Sequence, residues 1–139
     1  MVAIDNQMTY VTDGLYLFGV KGIDIKFLMA ILNSKLFVFI YRLLSMESGR
    51  VLAQVKPTLL NEMPIIVIDE KSKTNKIKHD EIINNVNLIL KANNEIAKVD
   101  ESKRMTINDR ISYSMQRIDE LVYELYELTK EEIQIVENQ

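Results

Sequence analysis

Between Ile25 and Leu44 most positions are apolar on every side of a helical wheel, and this stretch constrains the fold more than any other part of the chain. A helix that is hydrophobic all round has to be covered on several faces. A bilayer could cover it only over about 20 consecutive uncharged residues. Between Tyr16 and Leu44 the run is broken by Lys21, Asp24, Lys26, Lys35 and Arg42. The segment therefore reads as a helix buried in protein, without a membrane span. Asp24 is placed to cap it, its carboxylate accepting from the free amides of a first turn that starts at Ile25. Asn33-Ser34 forms a polar notch, where the helix bends or gives way to another.

Short β-prone runs precede this helix. Tyr10 to Thr12 and Leu15 to Val20 flank Asp13-Gly14, the favoured hairpin dipeptide, and read as two strands. After the helix, Glu47-Ser48-Gly49 is a stop, with Gly49 able to take a left-handed conformation. Val51 to Val55 reads as a short strand or extended loop. Pro57 starts a turn, Thr58 to Asn61 suit one helical turn, and Ile65 to Ile68 form a brief β run. The polar segment Asp69-Glu70-Lys71-Ser72-Lys73 is the best boundary.

Beyond that segment the pattern becomes helical. His79, Val86 and Asn93 make one heptad row and Ile82, Ile89 and Ile96 another, as in a helix packed lengthwise on a second helix, with Asn93 placed to fix register. Thr106 can cap a second long helix, in which Ile111, Ile118 and Leu125 form one row and Ile107, Leu121 and Leu128 the other. The short connection requires the two to run antiparallel. Thr129 and Glu132 have the spacing of a capping box and open a last helix through Val136. The predicted fold is α+β: a small partial β lobe packed on an apolar helix (residues 1–70), then a helical spacer or docking region built on an antiparallel pair of long helices (residues 71–139).

The 139-residue chain holds no cysteine, which excludes disulfides and thiolate metal sites, and a lone His79 has no partner at metal-ligand spacing. Met1 to Tyr10 lacks the basic-then-apolar pattern of an export signal, so the cytoplasm is the expected compartment. No glycine-rich phosphate loop, Ser-His-Asp set or nucleophilic cysteine is present, and no catalytic residue, metal or cofactor is assigned to this chain. Glu62, Asp69 and Lys71 faintly echo a metal-dependent nuclease order, but they sit in what reads as a solvated turn. Phe27, Phe37, Phe39 and Tyr41 could stack bases, yet their helical spacing among leucines favours a core role.

Charge divides the chain. Lys21 to Lys56 holds six basic residues against two acidic ones, whereas His79 to the C-terminus holds seven against thirteen. The first half suits an anionic partner and the second a solvated or protein-facing role. Within the basic half, Ser48, Gly49, Arg50, Gln54 and Lys56 combine a flexible backbone with donors fitted to phosphates and base edges.

The runs Leu15-Tyr16-Leu17-Phe18-Gly19, Ala30-Ile31-Leu32-Asn33-Ser34-Lys35-Leu36, Gly49-Arg50 and Leu60-Asn61-Glu62-Met63-Pro64-Ile65 together resemble the TaqI-like C-terminal specificity domain of type II restriction-modification enzymes. That family is related to the specificity subunits of type I systems. Ile118 to Thr129 and Glu131 to Glu137 look like the tail of fused restriction-methylation enzymes, which extends the resemblance over nearly the whole chain. The resemblance implies a DNA sequence-recognition module that binds duplex DNA through Lys35, Arg42, Arg50, Gln54 and Lys56. Its helices would space or dock the methyltransferase and nuclease domains of a parent enzyme. S-adenosylmethionine and magnesium are implied for that parent alone. The competing reading is a helical docking or dimerisation module that binds a partner protein, or a second copy, without DNA.

Overall fold

The computed structural model describes residues 2–4, 21–45, 57–69 and 71–138. Six helices are found among them: α1 (Ile25–Asn33), α2 (Lys35–Ser45), α3 (Pro57–Leu60), α4 (Lys73–Ile96), α5 (Glu101–Leu125) and α6 (Lys130–Glu137). No strand occurs among the described residues, so the α+β expectation is corrected to an all-α architecture. The predicted strands at 10–12, 15–20 and 51–55 lie outside the described residues.

The Ile65–Ile68 run shows why a β-prone sequence need not become a strand. Two of its amides are taken up without a ladder: the Ile65 amide donates to the Met63 carbonyl at 2.9 Å, and the Ile66 amide donates at 3.0 Å to the Tyr126 hydroxyl, which itself donates to the Pro64 carbonyl at 2.8 Å. Ile65, Ile66 and Ile68 still pack on the core, while Val67 points to solvent.

The apolar stretch does divide at the notch. Asp24 caps α1 by accepting from the Lys26 and Phe27 amides at 2.8 and 3.2 Å. α1 ends at Asn33, and α2 leaves at a bend of 63°. No single helix among the described residues is long and apolar enough to cross a membrane. Phe27, Leu28, Ala30 and Ile31 of α1 and Leu36 and Phe37 of α2 are buried in protein instead.

α4 and α5 form the antiparallel pair, joined by residues 97–100. Lys78–Glu124 (3.1 Å), Glu81–Arg117 (2.7 Å) and Glu95–Arg110 (3.6 Å) mark the register from one end to the other. α5 begins at Glu101 after Asp100, six residues earlier than a Thr106 cap would allow. On α5 the predicted rows are largely kept, with Ile107, Ile118, Leu121 and Leu125 buried. On α4 the row through Val86 is not kept: Asn93 is exposed and does not set register, while Asn85 and Ala92 are buried. Asn85 satisfies its amide within its own helix, donating to the Glu81 carbonyl at 2.9 Å.

α5 ends in a left-handed turn without glycine. Glu127 has φ 54°, and the Leu128 amide donates back to the Tyr123 carbonyl at 3.0 Å. That turn aims the chain into the Thr129–Glu132 capping box, with bonds of 3.3 and 2.8 Å, and so starts α6. α1 packs on α4, and α2 lies against α3, α5 and α6. One hydrophobic cluster crosses residue 70, joining Phe27, Ile31 and Phe37 to Ile82, Val86, Leu121 and Val122.

Candidate nucleic-acid interface

Among the described residues of the first half, the turn Asn33-Ser34-Lys35 gathers a dense set of polar contacts. Asn33 pairs its carboxamide with the backbone of Val2 in both directions: the Val2 amide donates to Oδ1 and Nδ2 donates to the Val2 carbonyl, each at 2.7 Å. Its second amide hydrogen goes to the Met29 carbonyl at 3.0 Å. Ser34 is buried, donates to the Ile31 carbonyl at 2.7 Å and accepts from the Phe37 amide at 3.4 Å, closing α1 and opening α2 with one hydroxyl.

The Lys35 amide donates to Asp119 Oδ1 at 2.9 Å, so a carboxylate from α5 sits at the first turn of α2. A negative group there is favoured by the helix dipole. Burial pushes the Asp119 carboxyl above its usual range, an effect opposed by the Lys35 amide and ammonium. The Lys35 ammonium hydrogen-bonds and ion-pairs with Glu137 Oε2 of α6, while the Tyr123 hydroxyl donates to Glu137 Oε1 at 2.8 Å. With both oxygens engaged, Glu137 is held below the ordinary carboxylate range, chiefly by the Lys35 bond. Lys35 is raised by the same bond, and burial followed by the bond to Glu137 raises Tyr123.

Arg42 stands seven residues after Lys35, on the same stripe of α2 and two turns along, roughly 10.5 Å at the usual helical rise. Both residues are exposed. Among the described residues Arg42 has no acidic partner, and its position in the last turn suits the negative end of the dipole. Of the predicted contacts, the structure thus brings Lys35 and Arg42 onto one face, with Lys35 already paired. Arg50, Gln54 and Lys56 lie outside the described residues.

Other candidate groups have structural positions. Phe27 and Phe37 are core residues at 1% and 0% exposure, which removes them as stacking platforms. Asp69 accepts from the Lys71 amide at 2.9 Å and closes the turn before α4. The His79 ring is tilted against Phe27 at 4.7 Å, and its Nδ1 lies 3.0 Å from Asp80 Oδ1. Among the described residues no three His, Asp or Glu side chains converge as a metal site.

Sequence reasoning missed Asp119, Glu137 and Tyr126, the distant partners that hold the first half in place. Nothing local marks them, since their separations from their partners run from 60 to 102 residues.

No curated protein and no solved structure matches the chain. A family model does, and its match takes in the Asn33-Ser34-Lys35 turn and the Leu60 to Ile65 closure but stops short of the 118–137 tail. Over residues 1–65 the chain is a match to the TaqI-like C-terminal specificity domain.

Proposed function

We propose that this chain is a DNA-recognition piece of a restriction-modification enzyme, in which residues 1–65 contact duplex DNA and the later helices space or dock the enzyme's other domains. The observation that carries this reading is the family match, since it covers both the Asn33-Ser34-Lys35 turn and the basic loop. Arg42, Arg50 and Lys56 are assigned to phosphates, and Gln54 to a base edge, where a carboxamide can pair with adenine. Lys35 serves chiefly to hold α2 against α6 and joins the contact only at the edge of the face. The chain has no assigned catalysis, and S-adenosylmethionine and magnesium belong to the parent enzyme.

A salt series tests the reading. Binding of the whole chain to a random duplex should weaken with ionic strength, with a log-log slope near −0.9 per phosphate contact. The Arg42→Ala, Arg50→Ala, Lys56→Ala variant should lose close to three such increments. An unchanged slope would reject the assignment.

A protein-docking role for the hairpin has one observation in its favour. Leu88 and Tyr113 are 50% and 71% exposed beside a groove on the outer side of α4 and α5, lined also by Thr106, Asp109, Arg110 and Ser114. On the proposed reading that face meets another domain of the parent enzyme. A second copy of the chain is the alternative, and sedimentation at two concentrations separates the two.

A further inference from the structure

The outer face of the α4–α5 hairpin is layered along its length. Glu81, Leu88 and Glu95 follow one another at seven-residue steps on one stripe of α4, opposite Arg117, Tyr113 and Arg110 on α5. The Glu81–Arg117 and Glu95–Arg110 pairs, at 2.7 and 3.6 Å, bracket a groove of about 360 Å³ with Leu88, Tyr113 and Ser114 at its middle. Ser114 is 4% exposed, yet its hydroxyl makes no hydrogen bond among the described residues. A buried hydroxyl left without a partner is costly. Apolar side chains at the centre and charges at the rim are the ordinary anatomy of a protein interface.

The signs of the rim charges select the occupant. On α4 this face presents Glu81 and Glu95, and at the same levels α5 presents Arg117 and Arg110, as the bonds within each pair show. One turn from Leu88 toward the connection at 97–100 stands Lys91, and one turn from Tyr113 in the same direction stands Asp109. Both are exposed, and neither has an ion pair among the described residues. At each of the three levels the two helices therefore carry opposite charge. Such a face is complementary to itself about a two-fold axis that runs along the helices, because that axis lays α4 of one copy on α5 of the other. A two-fold axis across the helices would instead set α4 on α4, with Glu81 against Glu95.

We infer that the chain pairs with a second copy through this face, as an antiparallel four-helix bundle with both 97–100 connections at one end. Glu81 meets Arg117 of the second copy, Glu95 meets its Arg110 and Lys91 meets its Asp109. Leu88 is covered by Tyr113 of the second copy, whose hydroxyl comes to the groove where Ser114 lacks a partner. Of the two occupants named above for this face, the charges favour the second copy, and the parent enzyme's other domains then dock elsewhere on the chain. The inference does not depend on DNA binding.

The test is sedimentation equilibrium of the whole chain, which should fit a monomer–dimer equilibrium. An Arg110→Glu, Arg117→Glu variant sets acid against acid between copies, and a Glu81→Arg, Glu95→Arg variant sets base against base. Each alone should raise the Kd by more than about tenfold, since facing like charges cost several times RT. Mixed in equal amounts, the two variants restore every opposite-charge contact between copies, and association should return. Both lose the same pairs within the chain, so recovery on mixing separates the interface from a loss of folding. Chains with Leu88→Cys and chains with Tyr113→Cys should cross-link on oxidation when mixed and not separately, as the chain has no cysteine of its own. A parent that stays monomeric would overturn the inference and leave the face to another domain of the enzyme. Dimers undiminished in both charge variants, or no recovery on mixing, would overturn the choice of face. Cross-linking of Leu88→Cys chains alone would overturn the orientation.

Discussion

Replacing Phe37 with alanine asks whether the specificity segment and the helical region fold as one unit. Phe37 is fully buried in α2, and its ring meets Tyr126, just past α5, edge-on at 5.6 Å and 68°. Truncating a buried phenylalanine to alanine costs about 3–5 kcal/mol, from lost transfer energy and the cavity left behind. The aromatic pair accounts for about 0.5–1.5 kcal/mol of such a loss. Against a total stability of about 5–15 kcal/mol for a typical domain, a loss of that size is a large fraction of the whole. Leu43→Ala, one and a half turns further along α2 and 60% exposed, should change stability by no more than about 0.5 kcal/mol. Urea unfolding followed by far-ultraviolet circular dichroism and by tyrosine fluorescence reads both ends of the contact. The two signals should move together to a lower midpoint. A loss below about 1 kcal/mol, or a tyrosine transition that stays at the parent's midpoint while the helical signal shifts, would refute a shared core.

Two further perturbations probe the joint around α2. Glu137→Gln should be destabilising by no more than about 1 kcal/mol at neutral pH, because the ion pair is solvent-exposed. Since the folded state holds the Glu137 carboxyl below its usual range, its stabilisation is present above the unfolded carboxylate value of about 4.3 and is lost as pH falls through the lower folded value. Parent and variant should therefore converge in acid, and a gap that persists to the lowest pH would contradict the sign. Asn33→Ala removes both bonds to Val2, so the Val2 amide should exchange with solvent much faster while α4 and α5 keep their protection. Unchanged exchange at Val2 would mean that the carboxamide does not hold the N-terminal segment.

What could be read from the sequence was what depends on near neighbours. The Asp24 cap, the break at Asn33-Ser34 and the Thr129–Glu132 box each involve residues within a few positions, and each appears as the local chemistry requires. The long helices were legible from period, but the α4 seam was not: α4 packs on α1 as well as on α5, a second neighbour that a two-helix heptad count leaves out, and Asn93 is exposed while Ala92 is buried. The turn at Glu127 was hidden for a different reason. A left-handed residue is ordinarily announced by glycine, and here glutamate takes that conformation with the Leu128 bond to support it. The Ile65–Ile68 run is not a strand, and its Ile66 amide is bound by a tyrosine hydroxyl 60 residues away. No local pattern encodes that.

The same distinction bears on where the candidate interface can lie. A motif found in a specificity segment invites the view that its polar residues touch the target. Asn33, Ser34 and Lys35 instead commit every polar group described above to the protein: to Val2, to the ends of two helices, and to Asp119 and Glu137. Any of them turned toward DNA would have to give up a bond that holds α2 in place. Freeing a group such as the Lys35 amide would also strand a buried carboxylate, which is costly. Among the described residues the exposed Arg42 side chain has no such bond to give up. On this reasoning the motif sets the angle of α2 against α5 and α6. On the proposed DNA-binding reading its effect is then geometric: a Ser34→Ala variant would disturb the placement of Arg42 without removing any charge, weakening affinity while leaving the salt slope nearly unchanged.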